Sequence, residues 1–199
     1  MFTMMNLTRL LVGLQGVAIS ERAYQQALYY AQERVQGSGK IGSEVRSSVT
    51  IIHHPDVKRM LLDMKCITEA GRCLTLFAAY CIDVSKRHAI AATRQKFSDR
   101  VALLTPIVKA WITDRAIECA NTGIQIHGGQ GYIEETGAAQ HLRDARVMAI
   151  YEGTNGIQAN DLVHRKIIKE SGKSIRGIIA EMKLDLTNAM GTCREPLLS

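Results

Sequence analysis

Apolar residues recur along this chain at intervals of three and four positions, which is the period of an amphipathic α-helix. The pattern predicts a first helix from about Asn6 to Arg34, a second from Pro55 to about His88, and a third from about Phe97 to Ile126. A shorter helix from about Thr136 to Tyr151 and another from about Ile157 to Glu170 follow. Long helices joined by short breaks are typical of an all-α, up-and-down four-helix bundle.

The segments between and after the predicted helices set the limits of the bundle. Glycine and serine interrupt the pattern from Gly37 to His54, which predicts a long loop. Pro106, inside the third apolar pattern, predicts either a kink or a later start of that helix. A weaker amphipathic pattern near the C-terminus predicts one extra helix. We therefore expect a bundle over residues 5–170 and a C-terminal extension over residues 171–199.

Composition and charge argue against several classes of protein. The 199 residues are 46% hydrophobic and 22% charged, which is ordinary for a globular domain with its own core. The net charge is +6, but the basic residues are scattered and aromatic residues make up only 5%, which disfavours a nucleic-acid-binding module. The apolar stretch Leu10–Ser20 contains Gln15 and is too short for a membrane span. We expect a cytoplasmic protein with no membrane span and no nucleic-acid partner.

Cysteine and histidine spacing argues against a metal site. The five cysteines form no CxxC pair, and His53-His54 has no second histidine cluster to complete a ligand set. Cys66, Cys73 and Cys81 stand seven and eight residues apart, on similar faces of the predicted second helix. Buried free thiols are the favoured interpretation, and metal ligation and disulfides are the alternatives. An odd number of cysteines also suits a reducing compartment.

The first chemically informative break is the segment His127–Gly131, HGGQG, after the third predicted helix. It is not a dinucleotide-binding GxGxxG motif, because no strand precedes it. One interpretation is a helix end that glycine makes flexible. The other is that backbone without side chains lets a ligand approach closely, while Gln125, one turn earlier, hydrogen-bonds to that ligand.

The second break, YEGTNG from Tyr151 to Gly156, contains an isolated carboxylate. Thr154 or Asn155 can cap the helix that follows, and Gln158 stands three residues beyond Asn155, as in a capping box. Capping does not explain Glu152, which follows an apolar strip and is expected to lie against apolar surface that raises its pKa. Such a carboxylate suits proton abstraction; a solvated glutamate at a helix end is the alternative.

These motifs resemble the acyl-CoA dehydrogenase family. The segments similar to its C-terminal domain are, in order, TRLLVGLQGVAISERAYQQALYYAQER (Thr8–Arg34), HPDVKRMLLDM (His54–Met64), QIHGGQGY (Gln125–Tyr132) and LRDARVMAIYEGTNGIQ (Leu142–Gln158). Within the family, HPDVKRMLL and YEGTNGIQANDLV look most similar to the 3-methylmercaptopropionyl-CoA dehydrogenase-like branch. The resemblance covers roughly residues 5–170 and implies the helical-bundle fold of that domain.

The resemblance implies an FAD-dependent α,β-dehydrogenation of an acyl-CoA thioester to the trans-2-enoyl-CoA. Glu152 occupies the position of the base that takes the α-proton, while the β-hydrogen leaves as hydride to the flavin. The family stabilises the enolate oxygen with the backbone N–H of that glutamate and a flavin hydroxyl. Hydrogen bonds aimed at a developing charge are an effective way to lower the barrier.

The same resemblance implies further site residues by position. The residues that match FAD-binding positions are Arg34, Gln125, Gly128, Gly129 and Thr154. The residues that match positions near the substrate are Thr8, Arg9, Tyr151 and Gly153. In the family the arginine and the QxxGG segment meet the FAD of a neighbouring subunit. Three departures are visible: Gly156 replaces a common glutamine, the Phe-Gly that usually follows the first-helix arginine is missing, and His54-Pro55 replaces the common His-Gln.

The resemblance also implies partners. We expect a homo-oligomer, either a dimer or a tetramer, and an electron-transferring flavoprotein as the electron acceptor. No residues correspond to the family's N-terminal helical domain and middle β-domain, so we expect this chain to be incomplete as an enzyme. The alternatives are a non-catalytic oligomerisation domain and a DNA-associated flavoprotein-like module.

Overall fold

The computed structural model describes residues 2–192, and it confirms the prediction of an all-α fold. The long helices are α1 (Phe2–Glu33), α2 (Pro55–Arg87) and α3 (Ala91–His127). The shorter ones are α4 (Gly129–Tyr132), α5 (Ala138–Met148), α6 (Asn155–Asn160) and α7 (Lys173–Thr192). Short 3₁₀ turns span Ile51–His53 and Glu134–Thr136, and a π-helix spans Asp161–Ile168. Cys193 and the end of the predicted extension lie outside the described residues.

The core lies between α1, α2 and α3, and α5 packs across α1 and α3 as a shorter fourth helix. Two glycines allow α1 to approach α3 closely. A Cβ atom on Gly13 would lie 2.5 Å from Val108 Cγ1, and one on Gly16 would lie 2.9 Å from Ile112 Cγ2. Because a packed interior has no room for such overlaps, this crossing depends on the absence of both side chains.

Two predicted helices differ from the observed ones. α3 begins at Ala91 and continues through Pro106, so the prediction of a later start is wrong. Pro106 is fully buried, and the packing around it outweighs the cost of about 3 kcal/mol that proline carries in a helix interior. The predicted helix from Ile157 to Glu170 is α6 followed by the π-helix. Over so short a segment, apolar spacing does not distinguish α-helical from π-helical hydrogen bonding.

The predicted loop from Gly37 to His54 contains a short hairpin that the sequence pattern did not reveal. Strand β1 (Gly39–Ile41) pairs antiparallel with β2 (Glu44–Arg46). Gly42 in the turn has a φ of +61°, which glycine adopts without steric cost. Strands of three residues are too short for an alternating pattern to be recognised.

The extra C-terminal helix, α7, contacts the start of α3 through a shared carboxylate. Glu181 accepts a 2.5 Å hydrogen bond from Arg100 and forms a 2.7 Å ion pair with Lys96. The Arg100 side chain is almost fully buried, and its guanidinium lies 4.8 Å from the centre of the Phe97 ring. These contacts join α7 to the bundle, and the domain boundary at residue 170 stays a prediction.

The cysteines in the described part of the chain divide into two pairs. Cys81 and Cys119 are fully buried, but Cys66 and Cys73 are exposed, so the interpretation as buried thiols is wrong for the latter two. Seven residues advance a helix by nearly two turns, which keeps Cys66 and Cys73 on one face. The eight-residue step from Cys73 rotates Cys81 toward the core. All four thiols are free.

Alkylation of the folded protein should distinguish the two pairs. Burial raises the pKa of Cys119 to about 11 and also raises the pKa of Cys81, so neither readily forms the reactive thiolate. We expect iodoacetamide to modify Cys66 and Cys73 quickly and to leave the buried pair unmodified until the chain is unfolded in urea. Peptide mass spectrometry measures each site. Equal labelling of Cys119 and Cys66 in the folded protein would contradict this burial.

Candidate functional site

The loop between α5 and α6 holds Glu152 in a left-handed backbone conformation. Its φ angle is +55°, and that of Gly153 is +86°. A residue with a side chain pays roughly 1–2 kcal/mol for this conformation, so surrounding contacts must hold it there. The N–H of Asn155 donates a 3.1 Å hydrogen bond to the Ala149 carbonyl, which closes the loop at its base. Glu152 itself is half-buried.

Contacts from two neighbouring helices hold the backbone of Glu152. Arg9 on α1 donates from Nε to the Glu152 carbonyl at 3.4 Å. Gln158 on α6 is fully buried and donates from Nε2 to the carbonyls of Glu152 at 3.4 Å and Gly153 at 3.3 Å. None of these three bonds uses the Glu152 carboxylate.

Three of the predicted substrate residues, Arg9, Tyr151 and Gly153, meet at this loop. The Tyr151 hydroxyl donates to the side chain of Gln15 on α1. Arg9 Nη2 lies 3.8 Å from the position that a Cβ atom on Gly153 would take. Helix α1 therefore forms one wall beside the loop. Thr8, the remaining predicted residue, precedes Arg9 and is half-buried. The roles of these residues toward a substrate stay predictions.

Thr154 caps α6, which decides between the two caps that the sequence allowed. Its Oγ1 accepts a 3.3 Å hydrogen bond from the N–H of Ile157. The side chain of Asn155 points toward α3 instead. The proposed capping box is wrong, because the Gln158 amide reaches back to the loop carbonyls. The predicted contact between Thr154 and a flavin stays a prediction.

Asn155 fastens the loop to α3, and this contact was missed by sequence reasoning. Lys109 donates from Nζ to Asn155 Oδ1 at 2.8 Å. Asn155 Nδ2 lies 2.7 Å from Asp114 Oδ1, 2.9 Å from Thr113 Oγ1 and 3.2 Å from the Ala110 carbonyl oxygen. An asparagine after a helix break is usually interpreted as a helix cap. The sequence therefore gave no signal that Asn155 contacts α3.

Lys109 lies in the interior of the molecule with its side chain fully buried. Burial lowers the pKa of its ammonium, Asp114 and Glu152 oppose that shift, and Arg9 adds to it. The signal that could have identified this residue is a lysine on the apolar face of a helical pattern. Lysine is almost never fully buried without a partner, so such a position indicates a specific polar contact.

Four of the five predicted cofactor residues line one groove of about 690 Å³. Arg34 reaches it from the region after α1, and Gln125, Gly128 and Gly129 reach it from the junction of α3 and α4. Thr154 stands on the Glu152 loop instead. The structure therefore brings together the residues that the resemblance places against a neighbouring subunit's FAD, and Glu152 is not among the residues that line this groove.

The structure explains the three glycines of the HGGQG segment in different ways. Gly128 has φ +60° and ψ −140°, a conformation that residues with side chains rarely adopt. A Cβ atom on Gly131 would lie 2.5 Å from the Ile124 carbonyl oxygen, so the packing of α4 on α3 excludes a side chain. Gly129 has no positive φ, and nothing lies within 4 Å of its Cβ position. The fold does not require a glycine at position 129. This favours the interpretation that Gly129 lets a ligand approach the backbone closely.

His127 supports the floor of this groove. Its ring stacks on Tyr30 with the ring centres 4.4 Å apart. Its Nδ1 lies 2.7 Å from the Gly123 carbonyl oxygen, and because a carbonyl only accepts, Nδ1 carries the proton. The ring is buried, stacked on Tyr30 and hydrogen-bonded to Gly123, so we assign it a structural role.

Between residues 2 and 192, His, Cys, Asp and Glu side chains form no group of three or more that could hold a metal ion. In the same part of the chain, no helix combines the length and the apolar character that a membrane crossing requires.

Comparison with known proteins gives a consistent match. The family model for "Acyl-CoA dehydrogenase, C-terminal domain" matches residues 1–167. A 3-methylmercaptopropionyl-CoA dehydrogenase from Ruegeria pomeroyi is 49% identical over 176 residues, which cover 88% of this chain and 30% of that protein. The chain thus spans about 30% of the length of curated relatives that it matches.

Solved structures share the fold. A butyryl-CoA dehydrogenase from Megasphaera elsdenii has a TM-score of 0.62 and 30% identity, over 79% of this chain and 35% of its own. A chain in the structure of the electron transferring flavoprotein of Acidaminococcus fermentans has a TM-score of 0.65 and 25% identity. That similarity covers 82% of this chain and 37% of the other.

Proposed function

The chain belongs to the acyl-CoA dehydrogenase family, matching its C-terminal domain, and from this premise we propose that Glu152 removes the α-proton of an acyl-CoA thioester. The reaction is α,β-dehydrogenation to the trans-2-enoyl-CoA. This domain contributes the base and part of the cofactor site. The predicted family is confirmed, whereas the base, the substrate and the cofactor are proposals.

The observation that supports this proposal is the strained backbone of Glu152, which contacts from neighbouring helices hold in place. Such strain persists where surrounding contacts over-determine a residue, and it clusters at active sites. Arg9 and Gln158 donate hydrogen bonds to the loop carbonyls, and none of these bonds involves the Glu152 carboxylate. A solvated glutamate at a helix end, which is the alternative, requires neither a positive φ nor a buried glutamine beside it.

The surroundings of Glu152 suit the removal of a weakly acidic proton. As the α-proton leaves, negative charge develops on the thioester oxygen, and positive charge nearby lowers the barrier. The Arg9 guanidinium supplies such a charge beside the loop. The half-buried position of Glu152 limits the competition of water for its oxygens. Glu152 accepts the proton at a carboxylate oxygen, and the β-hydrogen leaves the substrate as hydride.

The groove at the junction of α3 and α4 fits the cofactor that this reaction needs. Arg34 offers a guanidinium for a phosphate, Gln125 offers an amide, and Gly129 offers backbone without a side chain. Its volume of about 690 Å³ is within the range of small-molecule sites. FAD, when bound, accepts the hydride. Because the groove and the Glu152 loop have no lining residue in common, we propose that this groove holds the FAD of a neighbouring subunit.

Flavin retention tests the cofactor part of this proposal. After incubation with excess FAD and desalting, the wild-type chain should keep the visible flavin band. Gly129→Ala should weaken FAD binding about tenfold, because the new methyl group occupies the open face of the groove. Gly177→Ala, in open space on α7, should bind as the wild type does. Equal FAD affinity in Gly129→Ala and the wild type would contradict FAD binding in this groove.

The proposal includes partners. Self-association is supported by α2, where Leu62, Leu76 and Tyr80 are exposed and share one face by their helical spacing. An electron-transferring flavoprotein as the electron acceptor is supported by the similarity to a chain in the structure of such a protein. The free thiols suit a reducing compartment, and we place the reaction in the cytoplasm.

A further inference from the structure

Asn155 joins two parts of the molecule that are distant in sequence, the Glu152 loop and the middle of α3. Its side-chain oxygen accepts a 2.8 Å hydrogen bond from the fully buried Lys109. Its side-chain nitrogen lies 2.7 Å from Asp114 Oδ1 and 2.9 Å from Thr113 Oγ1. One carboxamide thus uses both its acceptor and its donors on α3.

The charges on either side set the direction of the Asn155 amide. A positive group faces its oxygen and a negative group faces its nitrogen. A flipped amide would place its donors against Lys109 and its acceptor against Asp114. Lys109 is fully buried, so its interaction with the amide oxygen is stronger than it would be in water, whereas Asp114 is exposed and contributes mainly through its 2.7 Å hydrogen bond. The Asn155 side chain therefore has one strongly favoured orientation, and the first residue of α6 is held with it.

The position of Asn155 determines where the strained loop ends. Its N–H donates to the Ala149 carbonyl at 3.1 Å, so the two ends of the loop meet at this residue. Between these ends lie Glu152 and Gly153, both with positive φ. A left-handed residue with a side chain persists only where its neighbours leave it no better conformation. The anchor on α3 is a contact of that kind.

We propose that Lys109 and Asn155 are positioning residues that keep Glu152 in its left-handed backbone conformation. They act through the loop backbone, since the hydrogen bond between them does not involve the Glu152 carboxylate. A buried ammonium loses hydration that an apolar side chain would not, so core packing alone does not account for Lys109. The catalytic meaning of this inference rests on the proposed function, whereas the conformational effect does not.

Amide hydrogen exchange of the full chain measures the loop directly. Lys109→Met keeps a side chain of similar length but removes the donor to Asn155. We expect exchange of the Tyr151 and Asn155 amides, which donate to the carbonyls of Val147 and Ala149, to become at least about tenfold faster, while the core of α1 is unchanged. Lys96→Met is the matched control, because Lys96 is also on α3 but is exposed and forms an ion pair with α7. Its loop exchange should match the wild type.

A compensating pair of substitutions keeps the test decisive if Lys109→Met unfolds the core. Asn155→Asp places a carboxylate against Asp114 and should accelerate loop exchange. Adding Asp114→Asn restores a donor opposite the new carboxylate and leaves Lys109 with an acceptor. Because the two sites are in direct contact, their effects should be strongly non-additive. The double variant should recover most of the protection lost in Asn155→Asp.

Three results would overturn the inference. The first is loop exchange in Lys109→Met equal to that of the wild type. The second is an increase of the same size throughout α1 and α3, which would indicate a general loss of stability. The third is a double variant whose loop exchanges as fast as that of Asn155→Asp. Hydrogen exchange needs no substrate or flavin, so these outcomes are independent of whether Glu152 acts as a base.

Discussion

Replacing Glu152 with glutamine, in a full-length enzyme of the family that carries this chain as its C-terminal domain, should lower acyl-CoA dehydrogenation roughly 10²–10⁴-fold, because glutamine has a similar shape but cannot accept the α-proton. The measurement is the anaerobic rate of flavin bleaching after mixing with an acyl-CoA. Exchange of the substrate α-hydrogen for deuterium in D₂O, followed by NMR, reports the proton transfer separately from the hydride transfer. Both rates should fall in the variant.

The fold and the flavin spectrum should survive Glu152→Gln. The bonds that Arg9 and Gln158 donate at this residue go to its backbone carbonyl, which the substitution retains. Glu135→Gln removes one negative charge at an exposed position and is the control; its rates should equal those of the wild type. Near-normal turnover in Glu152→Gln would mean that a different group is the base.

Replacing Gly13 with alanine should destabilise the bundle by about 2 kcal/mol, within the range typical of overpacked cores. The new Cβ would lie 2.5 Å from Val108 Cγ1 and 3.2 Å from the Val108 carbonyl oxygen. Val108 is fully buried, and its backbone oxygen moves only if α3 moves. The loss of about 2 kcal/mol in the free energy of unfolding is a net value, because it already includes the gain of about 1 kcal/mol that alanine brings to a helix interior. The midpoint of thermal unfolding should fall by roughly 4–8 °C.

The same substitution at Gly177 is a control in which only helix propensity changes. Nothing lies within 4 Å of the Cβ position of Gly177, so its midpoint should stay the same or rise slightly. An unchanged midpoint in Gly13→Ala would show that α1 and α3 separate at no cost. Because Arg9 lies one helical turn before Gly13, a shift of α1 would also displace the contact with the Glu152 carbonyl.

The helical period of the sequence located the long helices because each presents an apolar face to the same core. Helix α2 begins at Pro55 as predicted and ends one residue before His88. The apolar pattern correctly continued through Pro106; only the later helix start suggested by the proline was wrong, because the packing of a fully buried proline outweighs its local cost. The pattern failed over Asp161–Ile168, where two turns are too few to separate a π-helix from an α-helix.

The candidate site could be predicted only in part. Glu152 was identifiable because helix capping accounts for its neighbours but not for a carboxylate at that position. The glycines of the HGGQG segment were identifiable as a group, yet nothing local distinguishes them from one another. The backbone angles and neighbours in the structure tell them apart. The backbone conformation requires glycine at Gly128, and close packing requires it at Gly131. Neither reason applies at Gly129.

The sequence by itself determined an all-α domain of the acyl-CoA dehydrogenase family with two breaks of distinct chemistry, because helical period and motif order are local properties of the chain. Only the tertiary structure decided that Arg34 and Gln125 share a groove and that Lys109 lies buried against the anchor of the Glu152 loop. These pairs are far apart in the chain. Their contact depends on how the helices and loops pack against one another, which residue spacing along one helix does not specify.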